Sequence, residues 1–156
     1  MRILGIDPGT GILGFGVIEV TKGQFSLVDA GVIRTLAKET DAVRLQIIFN
    51  ELTAIVAQTQ PTNIAIEKLF FAKNVTTAMT VSQARGVVLL CGQQAGLIID
   101  EYTPLQIKQA LTGYGRADKK QIQEMVRVIL QLKEVPKPDD CADALAAAIT
   151  HAMIMR

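Results

Sequence analysis

The sequence predicts an α/β protein built on a mixed five-stranded sheet, its first three strands antiparallel, flanked by helices. Three observations carry this. Up to residue 35 the apolar residues fall in short β-rich runs, and over residues 40–58 they recur every three or four positions. Beyond that, short β-rich segments alternate with helical ones, an order that joins later strands to the sheet through helical crossovers. No linker, repeat or low-complexity stretch interrupts the pattern, so residues 1–156 read as one domain, long enough to bury a core without disulfides.

Each element has a local cause. Residues 2–7 form an apolar run that ends at Asp7 and meets Pro8-Gly9-Thr10-Gly11, a strong turn signal. Residues 12–20 and 24–35 flank Lys22-Gly23 as a hairpin. Val43, Ile47, Ile48, Leu52, Ile55 and Val56 mark an amphipathic helix over about 40–58, stopped by Pro61. Residues 63–68 are a short strand. A long helix capped by Asn74 or Thr76 runs to about Gln94, with Gly96 near its end, and residues 97–102 are the fifth strand. Thr103 and Pro104 suit the cap and first position of a helix over 104–112 that Gly113 ends. A helix over 118–132 follows, and Pro136 and Pro138 lead into an alanine-rich last helix over about 139–154.

Charge is informative only in its distribution. Residues 102–133 carry six bases (Lys108, Arg116, Lys119, Lys120, Arg127, Lys133) against two acids, whereas residues 134–156 carry two bases against four acids. A basic stretch beside an acidic one suits a protein that grips a polyanion and holds cations against it, although an ordinary solvated helix face has the same signature. Cys91 and Cys141 lack metal-ligand spacing, and Cys141 reads as a packing residue. The apolar run at the start breaks too early for a signal peptide, and no stretch approaches a membrane span. The expectation is a soluble, cytoplasmic protein with no membrane association.

Four acids stand out. Asp7 ends the first strand before a glycine-rich turn, and Glu67 sits near the end of the fourth strand after Ile64 and Ile66. A carboxylate finishing a buried strand is costly unless compensated, so two of them on neighbouring strands point to a shared cation. The competing reading has Asp7 capping its own turn and Glu67 paired with a lysine. Asp140 and Asp143, three apart at the start of the last helix, share one face. On that spacing alone, acids that favour the helix dipole and cap free amides account for them as well as catalysis does; Asp139 is the acid assigned to that purpose. Together, four oxygen donors without a histidine cluster suit Mg²⁺ or Mn²⁺ rather than zinc, and two such ions support phosphodiester hydrolysis. His151, two turns beyond Asp143, reads as packing or a helix-end cap, with a peripheral part in proton transfer as the alternative.

Gly5-Ile6-Asp7-Pro8-Gly9, Ala65-Ile66-Glu67 with Phe70-Phe71 and Ala72-Lys73-Asn74, Ala117-Asp118-Lys119, and Asp140-x-x-Asp143-Ala144-Leu145-Ala146 together resemble the RuvC family of Holliday-junction resolvases over essentially the whole chain. The resemblance implies a ribonuclease-H-like fold, a homodimer, and Mg²⁺-dependent paired nicking of four-way DNA junctions, with Mn²⁺ able to substitute. It also implies a junction-migrating helicase complex as partner. Asp7, Glu67, Asp140 and Asp143 would form the catalytic metal-binding set. Lys108 and Lys119 match basic positions near the DNA backbone, and Phe70 matches an aromatic near the junction centre, while Phe71 stays in the core. Lys68, directly after Glu67, departs from the usual pattern and can tune the site.

For the isologous dimer contact the sequence offers the helix over about 75–95, where Met79, Val81, Val87, Val88, Leu89 and Leu90 exceed what one core-facing stripe needs. Three rivals remain at this point. A related nuclease acting on ribosomal RNA precursors shares the Asp-Pro-Gly opening but not the Phe70-Phe71 segment or the closing acids. An actin-like ATPase would need a second lobe. A non-catalytic DNA-binding module leaves the four acids without a purpose.

Overall fold

The computed structural model describes residues 1–68 and 75–155. In chain order these form β1 (Arg2–Asp7), β2 (Ile12–Thr21), β3 (Gln24–Arg34), α1 (Asp41–Thr59), β4 (Asn63–Glu67), α2 (Val75–Gln94), β5 (Ile98–Tyr102), α3 (Pro104–Thr112), α4 (Lys119–Ile129) and α5 (Asp139–Ile154). Side-chain caps start three of the helices: Thr40 accepts from the Val43 amide, and Thr103–Gln106 and Asp118–Gln121 form reciprocal capping boxes. Gly113 takes the left-handed conformation that ends α3. The fourth helix stops at Ile129 rather than 132, because Gln131 adopts a positive φ of 54°.

The sheet order is β3-β2-β1-β4-β5. As expected, β1, β2 and β3 pair antiparallel; β4 then joins β1 in parallel and β5 joins β4 in parallel. Strand parity assigns the side chains to faces. Leu4, Ile6, Ile64 and Ile66 pack with Ile48 and Leu52 of α1 and with Ala84 and Val88 of α2. Ile3, Ala65 and Tyr102 pack on the opposite face with α3, α4 and α5. Val88, counted above toward a dimer contact, therefore belongs to the core.

Helix α5 is buried on nearly every side, which its unbroken apolar run allows. Leu145 and Ile149 are fully enclosed, and truncating either to alanine costs about 2–5 kcal/mol. The sheet accepts α5 closely because it lacks side chains beneath it. A Cβ on Gly5 would overlap the Ala144 carbonyl, one on Gly14 the Asp140 carbonyl, and one on Gly16 the Leu145 side chain. Glycines in β1 and β2 and alanines in α5 thus bring helix backbone onto strand backbone, and the start of α5 comes to rest beside the end of β1.

Candidate active site

Two strand ends and one helix start meet at this place. Asp7 has the parity of Ile3 and Gly5, and Glu67 has that of Ala65, so both carboxylates point to the face covered by α5. The parallel register pairs Ile6 with Ile66, which sets Asp7 and Glu67 side by side at the carboxyl ends of adjacent strands. Asp140 and Asp143 enter from the first turns of α5, whose cap position is Pro138 with no side-chain cap. The turn after Asp7 is tied down from both sides: the Thr10 hydroxyl donates to the Thr80 carbonyl of α2 at 2.8 Å, and the Thr35 hydroxyl donates to the Thr10 carbonyl at 2.5 Å.

Electrostatics join the four acids into one unit. Burial first, then the charges of Glu67, Asp143 and Asp140, push Asp7 up to about 8, with Lys119 opposing. Burial and Asp143 push Glu67 up to about 7, against Lys119 and Lys108 acting through space. Asp143 is also raised, by burial, while its hydrogen bond from Lys119 pulls the other way. Carboxylates that crowd one another in a partly dry site lack positive charge. No three His, Cys, Asp or Glu side chains among the described residues converge tightly enough to hold one ion; Asp143 is instead engaged by Lys119, Nζ to Oδ2 3.1 Å. The donor set nevertheless fits a hard divalent cation in kind, being all oxygen and electrostatically starved.

Beside the carboxylates lies a cleft of about 290 Å³, lined by Glu67, Asp143, Lys108 and Lys119 together with apolar Ile107 and Ile122. Both lysines picked out in the sequence thus stand next to the acids. Among the described residues Asp7 accepts no hydrogen bond from its own turn, which removes the turn-capping reading. Asp139 lies in the first turn of α5, where its charge favours the helix dipole as expected, but α5 has no side-chain cap hydrogen bond. The Asp139 carboxylate accepts from Gln123 Nε2 at 3.0 Å and meets Lys119 Nζ at 3.3 Å. Sequence reasoning missed Gln123 altogether, since nothing in spacing joins two different helices. Cys141 is buried in the core, as expected. His151 is fully buried, its Nδ1 2.8 Å from the Tyr102 hydroxyl and 3.6 Å from Asp100, which clamps α5 to β5. Phe70 and Phe71 lie outside the described residues.

No helix among the described residues is long and apolar enough to cross a membrane. The family model "Crossover junction endodeoxyribonuclease RuvC" matches residues 3–151. A crossover junction endodeoxyribonuclease RuvC from Heliobacterium modesticaldum is 59% identical over 149 residues, covering 96% of this chain and 92% of the relative. The Thermus thermophilus RuvC structure superposes with a TM-score of 0.94 at 40% identity, covering 100% of this chain and 96% of that one. T. thermophilus RuvC in complex with a Holliday junction substrate gives a TM-score of 0.96 at 39% identity, over 100% and 95% of the two chains. The mixed sheet with its antiparallel first three strands is therefore the ribonuclease-H-like fold that the resemblance implied. With the fold, the length and the sequence all in agreement, the chain belongs to the RuvC family of crossover junction endodeoxyribonucleases.

Proposed function

We propose that this chain, acting through residues 1–156 as one nuclease domain, resolves four-way DNA junctions as a homodimer. It hydrolyses one phosphodiester in each of two strands at a divalent-metal centre of Asp7, Glu67, Asp140 and Asp143. One observation carries the reading: four carboxylates from two strands and one helix act on one another through space beside two lysines. Nucleases of this family require a divalent metal. Asp7, Glu67, Asp140 and Asp143 would hold Mg²⁺, with Mn²⁺ as a substitute, and the bound ion would supply Lewis-acid charge at the phosphate. The protein's own residues do the rest. Asp7 and Glu67, on strands, offer rigid oxygens, and Asp140 and Asp143 complete the set from α5. Lys108 and Lys119, both lining the cleft, hold backbone phosphates. Phe70 stacks on an unpaired base at the junction centre.

The dimer forms through α2. Val75, Met79 and Leu90 are 74%, 63% and 52% exposed, and Gly86, between them on the same stripe, leaves open space for a close approach. An isologous contact there relates two active sites by a two-fold axis, as two symmetric nicks require. A junction-migrating helicase complex is the further partner, and the cytoplasm is the place of action. Incubating the protein with a synthetic four-way junction and Mg²⁺, and mapping nicks on all four strands, tests this. Paired nicks at symmetry-related positions in two opposed strands are expected. No nicking, or equal nicking of a linear duplex, would overturn it.

A further inference from the structure

Lys119 stands at the first position of α4 and reaches across to α5, where its ammonium is shared between two acids one helical turn apart. It lies 3.1 Å from Asp143 Oδ2 and 3.3 Å from Asp139 Oδ2. The two partners differ in kind. Asp143 is largely enclosed, its side chain 24% exposed, and interacts with Asp7 and Glu67; Asp139 is 62% exposed and acts on Asp143 but not measurably on Asp7 or Glu67. Gln123, one turn further along α4, donates to the other oxygen of Asp139 and so holds Oδ2 toward the lysine. Nothing in helix capping calls for this arrangement, since the cap of α5 is Pro138 and takes no side-chain bond.

We infer that Asp139 is a positioning residue that receives the Lys119 ammonium when a divalent ion claims Asp143. A cation binding at Asp143 competes with Lys119 for that carboxylate's charge and repels the ammonium. With Asp139 fixed by Gln123 on the next turn, the lysine keeps a partner after a short shift. It stays at the cleft rim, where a phosphate can take it. Lys119 and the metal are thus competitors for one carboxylate, and Asp139 lowers the cost of the exchange. This rests on the reading of Asp143 as a metal ligand.

The test is Mn²⁺ binding to the DNA-free, chelator-stripped protein, followed by the electron paramagnetic resonance of free Mn²⁺. Lys119→Met should tighten Mn²⁺ binding about fivefold, the scale of a partly exposed ion pair. Lys120→Met, which removes the same charge one residue away, should tighten it much less. Asp139→Asn should weaken binding in the wild-type background and have little effect in the Lys119→Met background. A general electrostatic influence would act equally in both. Equal effects of Asp139→Asn in the two backgrounds, or equal effects of Lys119→Met and Lys120→Met, would overturn the exchange while leaving the metal site standing. If Asp143→Asn itself left Mn²⁺ affinity unchanged, the metal-ligand reading would fall, and the exchange with it.

Discussion

At the scale of single residues the acids are tuned by where they sit rather than by what they are. Asp7 and Glu67 hold their protons to about 8 and about 7 because burial and neighbouring carboxylates oppose ionisation. A folded-state pKa above the unfolded value contributes stability that is present at acid pH and lost as pH rises through the folded value. In chelator, the contribution of these two groups therefore declines between about pH 4 and pH 8. On the proposed metal site a divalent ion would bind the ionised forms and offset the loss, so Mg²⁺ should raise the melting temperature more at about pH 8 than at about pH 6. Calorimetric scans at the two pH values check this, and Asp7→Asn should flatten the difference. The same residues carry the chemistry in the proposed site. Asp7→Asn and Glu67→Gln should each lower the cleavage rate by at least about a hundredfold while junction affinity, which rests on lysines and arginines, changes little. A gel-shift beside a single-turnover assay separates the two effects, and near wild-type cutting at saturating Mg²⁺ would remove that residue from the site.

At the scale of elements the decisive contact is α5 against β1 and β2. The helix delivers Asp140 and Asp143 only because the strands beneath it present glycines. Gly14 is the sharpest case: it pairs with Asp7 across the β1–β2 ladder, and a methyl group there would strike the Asp140 carbonyl. Gly14→Ala should cost about 1–3 kcal/mol by overpacking. It should also reduce cleavage per folded molecule, because the start of α5 lifts away from Asp7. Denaturant unfolding and single-turnover rates, measured on the same preparation, check the pair of outcomes. A variant that lost stability alone would show that the site tolerates the shift. The far end of the helix is held differently, by the buried Tyr102–His151 hydrogen bond. Its rings meet edge to face at a centroid distance of 5.9 Å.

At the scale of the whole molecule the sheet divides the work between its faces. One face, with α3, α4 and α5, carries the acids, the cleft and the basic residues; the other, with α1 and α2, carries the apolar stripe Val75, Met79 and Leu90. Changing Met79 and Leu90 together to aspartate should leave the fold nearly as stable, since exposed positions shift stability by within about 0.5 kcal/mol. It should convert a sedimenting dimer to a monomer, and it should replace paired nicks by unpaired ones on a junction. A variant that still sedimented as a dimer would move the contact off α2.

Local pattern was enough for nearly every element of this chain, because periodicity, capping residues and turn glycines act within a few positions. The Thr103-Pro104 start, the Gly113 stop and the three opening strands were legible for that reason. Asp7 and Glu67 stood out as candidates because a carboxylate ending an apolar strand declares an unmet electrostatic need, whereas the spacing of Asp140 and Asp143 fitted helix capping equally well. Three things were decided only by the tertiary structure. The early end of α4 depends on one left-handed residue, Gln131, that no side chain announces. Val88, apolar like its neighbours, was sorted into the core by the angle at which α2 meets the sheet. Asp139 holds the first-turn place read for it, but its carboxylate is turned to Lys119 and Gln123 of another helix rather than to a free amide. Pairings between residues on separate elements depend on how those elements pack, and sequence spacing carries no record of that.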